Sequence, residues 1–115
     1  MSKDLSVGVL MDFYSDLLTE KQRDTLDLYY NKDYSLAEIA EDLEISRQGV
    51  RDFIKRGEKQ LHDFEETLKM AERFKKITKE VNEIEALVNE TNSLNVDEKK
   101  VNITRKLKKI KEALQ

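Results

Sequence analysis

Residues 35–54 read SLAEIAEDLEISRQGVRDFI, and this stretch decides the fold. Two helices that cross steeply around a tight turn need a small residue where their backbones approach, and Ala40 stands at that place. Apolar residues on both sides of the turn then hold the second helix against the first, which is the helix-turn-helix pattern. A small helical bundle with no nucleic-acid role is the alternative interpretation. The predicted core of the motif consists of Leu36, Ile39, Ala40, Leu43, Ile45, Val50, Phe53 and Ile54.

Helix starts are marked by side chains that can cap the first turn. Ser35 with Glu38 has the pattern of a reciprocal capping box, and Thr19 with Gln22 has the same pattern. Ser46 can cap the second helix of the motif, and each cap contributes about 1 kcal/mol. These caps predict a run of short helices, which follow a first helix expected to end near residue 18.

The helix after residue 46 presents a polar face made of residue types that contact nucleic acids. Arginine can bind guanine through two hydrogen bonds, and glutamine can bind adenine in the same way. An ordinary solvated helix face is the alternative. The predicted nucleic-acid-binding residues are Arg47, Gln48, Arg51, Asp52 and Lys55, with Arg56 and Lys59 better placed for phosphates.

Two residues are expected to weaken this motif. Glu44 occupies the turn, at a place where glycine often supplies a left-handed backbone. Gly49 is expected to leave a gap in the outward face and to soften the helix, since glycine inside a helix costs roughly 1 kcal/mol relative to alanine.

The composition favours an all-α protein without enzymatic activity. The chain has 115 residues, of which 39% are charged, with three glycines and no proline or cysteine, and it shows no sustained period-two alternation. The absence of cysteine excludes thiol catalysis and thiolate metal sites, and the single His62 cannot form a histidine cluster. No phosphate loop or catalytic triad is present, so we expect no cofactor and no metal. We predict a solvated surface for the acidic residues Asp12, Asp16, Glu20, Asp24 and Asp27.

Charge is divided unevenly along the chain, whose net charge is −3. Residues 1–66 hold nine Lys and Arg against sixteen Asp and Glu, whereas residues 67–115 hold twelve against eight. Local potential matters more than net charge for phosphate binding, so nucleic acid is expected to approach the fourth predicted helix or the basic run 99–111. No apolar run is long enough to cross a bilayer and no secretion signal is apparent, which predicts a cytoplasmic protein without membrane insertion.

The C-terminal part has narrow apolar stripes that require a partner helix. The stripe formed by residues 61, 64, 68 and 71 is out of phase with the next stripe between Ala71 and Phe74, so a bend or a helix break is expected near these residues. The stretch 89–95 reads as a loop, and Asp97 can cap a last helix. We predict a helix-turn-helix domain over residues 1–70 and a helical hairpin over 71–115 that also forms a homodimer. The equally weighted alternative is that the hairpin covers the back of the N-terminal unit. The second stripe contains Phe74, Ile77, Val81, Ile84 and Val88, and the last helix carries Ile103, Leu107, Ile110 and Leu114.

The helix-turn-helix region also resembles known proteins. LTEKQRDTLDLYY (residues 18–30), SLAEIAEDLEIS (35–46) and the spacing V-x3-I-x2-G-x3-L from Val50 are similar to region 4 of bacterial sigma factors, which contacts promoter DNA. The resemblance to the YlxM family of small bacterial proteins is closer and covers residues 10–68, with departures at Glu44 and Gly49, where that family commonly has glycine and alanine.

The resemblance implies a sigma-region-4-like unit of about four helices with a C-terminal helical extension. Members of this family are typically encoded beside genes of the signal recognition particle and are proposed to regulate that pathway. The implied function is therefore that of a non-enzymatic regulatory adaptor. Its partner would be the RNA of the particle, the GTPase protein of the particle, or DNA. A DNA-binding transcription regulator and a protein-only adaptor are the alternatives.

Overall fold

The computed structural model of the chain describes residues 3–90 and 96–115, and every regular element within them is a helix. The all-α prediction is therefore confirmed. No helix in these residues is both long enough and apolar enough to span a bilayer. The elements are α1 (Leu5–Tyr14), a 3-10 turn (Ser15–Leu17), α2 (Glu20–Tyr30), α3 (Leu36–Leu43), α4 (Arg47–Leu68), α5 (Met70–Asn89) and α6 (Val96–Ala113).

The chain forms two compact units, Met1–Lys69 and Met70–Gln115. Lys69 adopts a left-handed conformation with φ 54°, and its N–H donates to the Glu65 carbonyl oxygen at 2.8 Å. This cap ends α4, and α5 begins at the next residue. The break expected near Ala71 and Phe74 lies a few residues earlier, at Lys69, where one helix ends and the next begins with a new phase. The predicted loop 89–95 lies almost entirely outside the described residues.

Helix α4 is the centre of the first unit, since α1, α2 and α3 all pack against it. Its buried residues recur every three or four positions, which places them on one side of the helix. The three shorter helices supply the opposing apolar side chains. The buried face of α4 consists of Val50, Ile54, Gly57 and Leu61, and the residues buried around it are Val7, Leu10, Met11, Tyr14, Leu18, Thr25, Leu26, Tyr29, Ile39 and Ala40.

The capping residues predicted for α2, α3 and α4 each accept a hydrogen bond at the start of their helix. Ser35 accepts from the Glu38 N–H at 3.0 Å, and the Glu38 carboxylate accepts from the Ser35 N–H at 3.2 Å, so this capping box is complete. Thr19 accepts from the Gln22 N–H at 3.2 Å. The predicted second half of that box is wrong, because the Gln22 side-chain oxygen accepts from the Thr19 hydroxyl at 3.4 Å and not from the backbone. These bonds satisfy N–H groups that the helices themselves leave without a partner.

Two expected helix ends differ from the structure. The first helix does not continue to residue 18, because α1 stops at Tyr14 and a 3-10 turn follows. Leu18 is extended at ψ 160°, which allows Thr19 to take the extended conformation of an N-cap. Asp97 lies inside the first turn of α6 and is not its cap, although its charge is still favourable at a helix N-terminus.

Two tyrosines join the shorter helices to α4 through hydrogen bonds to carboxylates. The Tyr14 hydroxyl donates to Glu65 Oε1 at 2.5 Å, and the Tyr30 hydroxyl donates to Glu58 Oε1 at 3.0 Å. Burial, reinforced by the Glu58 carboxylate, raises the pKa of Tyr30 well above its ordinary value. The Tyr30 hydroxyl therefore stays protonated and continues to donate across the neutral range.

Helices α2 and α4 approach each other closely at Gly57. A Cβ atom at this position would lie 2.9 Å from Leu26 Cδ1, which is closer than carbon atoms normally approach. Leu26 is only 1% exposed, so its side chain has little room to move. Glycine therefore fixes how near α2 can lie to the buried face of α4.

The second unit is an antiparallel hairpin of α5 and α6. Lys106 forms ion pairs with Glu80 and Glu83, whereas Lys99 donates to the Glu90 backbone carbonyl, so positions along α6 pair with α5 in reverse order. The stripe predicted on α5 is divided between two environments. Its residues Ile77 and Ile84 are half-buried, whereas Phe74, Val81 and Val88 are exposed.

A charged cluster lies within the seam of this hairpin. The Lys106 ammonium lies 3.6 Å from Glu80 Oε2 and is hydrogen-bonded to Glu83, and its side chain is only 14% exposed. The hydrogen bond from Lys106 lowers the pKa of the Glu83 carboxyl and raises the pKa of Lys106 itself. A polar layer of this kind favours one register of the paired helices over others.

The approach at Gly57 predicts opposite effects for two glycine substitutions. Gly57→Ala should destabilise the chain by about 1 kcal/mol, because overpacking at Leu26 outweighs the gain in helix propensity. Gly8→Ala is the matched control: a Cβ there meets nothing within 4 Å, so the chain should gain up to about 1 kcal/mol. Urea unfolding followed by circular dichroism measures both. If the two substitutions shifted the urea midpoint equally and in the same direction, the close approach at Gly57 would be contradicted.

The pair formed by Glu83 and Lys106 predicts how hairpin stability depends on pH. A carboxyl whose pKa is lowered on folding stabilises the folded state above its ordinary pKa of about 4.3, and that contribution is lost as the pH falls through the lowered pKa. Amide hydrogen exchange in α5 and α6 should therefore be faster in Glu83→Gln than in the wild type at neutral pH. The difference should shrink in acid.

Glu112→Gln is the control for that measurement, because Glu112 is exposed and makes no ion pair within residues 3–90 and 96–115. Its exchange should follow that of the wild type at every pH. A Glu83→Gln difference that persists unchanged in acid would show that ionisation of Glu83 does not stabilise the hairpin.

Candidate nucleic-acid interface

The solvent-exposed surface of the first half of α4 is the candidate interface. Because Val50, Ile54 and Leu61 are buried against the other helices, the rest of the surface of α4 contacts solvent along its first half. All seven residues predicted to bind nucleic acid are exposed there, namely Arg47, Gln48, Arg51, Asp52, Lys55, Arg56 and Lys59. Their use in binding is still a prediction.

The turn between α3 and α4 sets the angle at which this face is presented. Glu44 has φ 56° and ψ 42°, so the left-handed backbone expected at this turn is confirmed. The Glu44 N–H donates to the Glu41 carbonyl at 3.3 Å, and the Ile45 N–H donates to the Ala40 carbonyl at 3.1 Å. A non-glycine residue in this conformation costs roughly 1–2 kcal/mol, which these bonds help to offset.

The predicted helix-turn-helix core falls into two classes of burial. The residues on the facing sides of the two helices are buried, whereas the others lie at the edges of the motif and are half-buried. The buried residues are Ile39, Ala40, Val50 and Ile54, and the half-buried ones are Leu36, Leu43, Ile45 and Phe53.

Gly49 does not open a gap in the outward face, contrary to the expectation from the sequence. Its N–H donates to Ser46 Oγ at 3.0 Å, so it belongs to the first turn of α4 and takes part in the helix cap. A Cβ there would lie 3.1 Å from Ser46 Oγ and 3.6 Å from Ile45 Cδ1, which means that it faces the turn. The cost of a glycine inside a helix therefore does not apply in full at this position.

Four cations of the candidate interface lack a carboxylate partner in the described residues: Arg56 and an evenly spaced row of three. Arg47, Arg51 and Lys55 are spaced four residues apart, and none of them makes an ion pair within the described parts of the chain. By contrast, the Lys59 ammonium lies 3.0 Å from Asp63 Oδ2. The positive charge available to a ligand is therefore concentrated in the first half of α4.

The remaining polar groups of this face interact with one another. Gln48 Nε2 donates to Asp52 Oδ1 at 3.0 Å, so its amide would have to exchange this bond before it could bind a base. Arg56 Nε donates to the Asp52 carbonyl oxygen at 3.4 Å, and its guanidinium lies 5.5 Å from the centre of the Phe53 ring.

One cation near this face was not predicted from the sequence. The Lys21 ammonium, from α2, lies 5.7 Å from the centre of the Phe53 ring, on which Arg56 also packs. Lys21 is separated from the motif by more than a dozen residues, and no spacing in the sequence relates it to Phe53. Only the packing of α2 against α4 brings it to the edge of the interface.

Helix α3 gives the neighbouring surface the opposite charge. Glu38, Glu41, Asp42 and Glu44 are all exposed, and α3 contains no Lys or Arg. In helix-turn-helix proteins the first helix of the motif crosses the nucleic-acid backbone, where carboxylates repel phosphates. A conventional docking of α3 and α4 on duplex DNA is therefore electrostatically unfavourable on one side.

The described residues contain no group of three or more His, Cys, Asp or Glu side chains that could hold a metal ion. One of the acidic positions of this unit, Asp16 in the 3-10 turn, lies 3.8 Å from Arg23 through its Oδ1 and the arginine Nη1. His62 lies 4.0 Å from an Asp4 carboxylate oxygen at the surface.

Comparisons with known proteins agree with this geometry. A model of the UPF0122 family, described as "Putative helix-turn-helix protein, YlxM / p13 like", matches residues 1–101. A UPF0122 protein of Halalkalibacterium halodurans is 50% identical over 76 residues, which are 66% of this chain and 70% of the relative. A UPF0122 protein of Acetivibrio thermocellus is 54% identical over 74 residues, 64% of this chain and 63% of the relative.

A third relative, a UPF0122 protein of a Thermoanaerobacter species, is 49% identical over 80 residues, 70% of this chain and 68% of its own length. The family match extends from the helix-turn-helix unit into α6, and the resemblance seen in the sequence is thereby confirmed. The chain therefore belongs to the UPF0122 family of YlxM/p13-like helix-turn-helix proteins.

Proposed function

We propose that this chain is a non-enzymatic regulatory adaptor that binds a phosphate-bearing partner through the first half of α4. The observation that carries the proposal is the row formed by Arg47, Arg51 and Lys55, three exposed cations without an ion-pair partner in the described residues. Residues four apart lie on one side of a helix with a rise of about 6 Å between them. The row thus extends about 12 Å along the helix and can contact several phosphates at once.

The charge on α3 favours structured RNA over duplex DNA as that partner. Long duplex DNA would bring its backbone near Glu38, Glu41 and Asp42, whereas a compact RNA can present phosphates to α4 alone. Sequence reading is also disfavoured, because the Gln48 amide is already bonded to Asp52. We therefore expect binding to DNA to be weak and independent of sequence.

The resemblance to the YlxM family makes the signal recognition particle the specific proposal. Its RNA would supply the phosphates that the row on α4 requires. Its GTPase protein is the second possible partner within the same pathway, and the carboxylates beside the row would suit a basic protein surface. Action in this pathway implies a cytoplasmic site of function.

A DNA-binding transcription regulator is the second candidate function. The observation in its favour is the helix-turn-helix geometry itself, with Arg51 exposed on the helix that enters the major groove in such proteins. This candidate requires the Gln48–Asp52 bond to open on binding and the duplex to avoid the carboxylates of α3.

Salt-dependent binding measurements test the proposal. Arg51→Ala should weaken binding to the particle RNA several-fold and lower the salt slope by about one, because one phosphate contact is lost. Lys59→Ala is the matched control on the same helix, and its effect should stay within about two-fold, because Lys59 is already paired with Asp63. The triple variant Arg47/Arg51/Lys55→Ala should lose most of the affinity.

The same titrations with labelled duplex DNA distinguish the alternatives. Nanomolar, sequence-selective DNA binding at physiological salt would favour the transcription regulator. Identical RNA affinities of wild type and triple variant would exclude the row on α4 as the binding surface. Binding to the GTPase protein with a shallow salt dependence, in the absence of RNA binding, would favour the protein-only adaptor.

A further inference from the structure

Four of the exposed apolar side chains of the hairpin lie along one edge, which we call the valine–leucine edge: Val81, Val88, Leu107 and Leu114. These side chains are between 45% and 70% exposed. None of the residues of α5 or α6 reaches full burial, whereas α4 alone contributes four buried residues to the first unit. The hairpin therefore has a seam but lacks an enclosed core.

The helical geometry places these four residues on the same edge. Val81 and Val88 each follow a half-buried seam residue of α5 by one position, namely Glu80 and Leu87. Leu107 and Leu114 follow seam residues of α6 in the same way. One step along a right-handed helix turns by about 100°. In two antiparallel helices, the residue that follows a seam residue therefore lies on the same side of the seam in both helices.

The pairing of the helices also fixes the levels along the edge. Lys106 lies beside Glu83, and Lys99 lies beside the Glu90 carbonyl, so Val81 and Leu107 are at nearly the same height. Leu114 and Val88 then lie toward opposite ends, and the edge is roughly 20 Å long at 1.5 Å per residue. The edge is two helices wide, because α5 and α6 both contribute side chains to it.

From this edge we infer that two copies of the chain associate through their valine–leucine edges to form a four-helix bundle. A two-fold axis parallel to the helices places α5 of each copy antiparallel to α6 of the other. All four neighbouring pairs are then antiparallel, as in an up-down-up-down bundle. The contact is self-complementary, because the same edge is used by both copies.

Charge at the flanks of the edge supports a second copy as the occupant. Glu85 follows the half-buried seam residue Ile84 by one position, and Lys100 follows Lys99 in the same way, so both flank the edge on the exposed side. The proposed axis brings Glu85 of each copy within about one helical turn of Lys100 of the other. Neither residue makes an ion pair within the described parts of one chain.

The size of the edge sets the expected affinity. An edge about 20 Å long and two helices wide is at the lower end of the range for specific interfaces. The dimer should therefore form at micromolar concentration and dissociate on dilution. Such an assembly would carry two copies of the charged face of α4, which would raise the apparent affinity for a partner with two contact sites.

Sedimentation of the full chain between about 1 and 100 µM tests the inference. The mass should rise toward twice the 13.5 kDa of the single chain as the concentration increases. Val81→Glu and Leu107→Glu should each sediment as monomers over the whole range, because a carboxylate would be buried in the apolar contact. Val101→Glu is the matched control, since Val101 is 67% exposed but lies on the outer side of α6. It should sediment as the wild type does.

Exchanging the charges of Glu85 and Lys100 tests the dimer contact independently of hairpin folding. Glu85→Lys and Lys100→Glu should each weaken the dimer, and the double variant should recover it, while helicity stays constant. A wild-type monomer at all concentrations would overturn the inference, as would equal effects of Val81→Glu and Val101→Glu. These outcomes do not depend on RNA binding by α4. Each monomeric variant should still bind RNA through the single α4 face that it carries.

Discussion

The burial of one face of α4 is the constraint on which the first unit depends. Val50, Ile54 and Leu61 face three shorter helices at once, and Gly57 lets α2 approach closely. Because these helices occupy the same side of α4, its opposite side stays in solvent. The helix thus serves both as the core of the fold and as the support of the charged face, and changes in its packing would also change how that face is presented.

The two helices of the motif carry opposite charge, which shapes the proposed function. Cations without carboxylate partners among the described residues lie on α4, while the exposed residues of α3 include only carboxylates as charged groups. A ligand that contacts both helices must therefore be mixed in charge, or it must approach α4 from the side away from α3. This requirement is the physical reason for proposing a compact RNA or a protein surface, and not duplex DNA, as the partner.

The hairpin follows a different principle from the helix-turn-helix unit. Its seam contains a charged cluster, in which Lys106 pairs with Glu80 and Glu83. Ion pairs of this kind select a register more than they add stability, because removing charges from water is costly. Apolar stabilisation must then come from elsewhere, and the exposed valines and leucines along one edge are the surface that can supply it. The proposed binding surface and the proposed dimer contact therefore belong to different units of the chain.

The sequence by itself determined the all-α class, the caps of α2, α3 and α4, and the left-handed turn at Glu44, because these depend on residues within a few positions of one another. It also placed Arg47, Arg51 and Lys55 on one exposed side of a helix, since the period of the helix fixes that relation. Tertiary structure decided what local spacing does not encode. The contact of Lys21 with Phe53, the restriction of Gly57 by Leu26, and the division of the α5 stripe into seam and edge all depend on which helices pack together. Gly49 was misjudged for the same reason: its pattern in the sequence is that of a helix interior, but the direction in which it faces is set by the turn formed by Ile45 and Ser46.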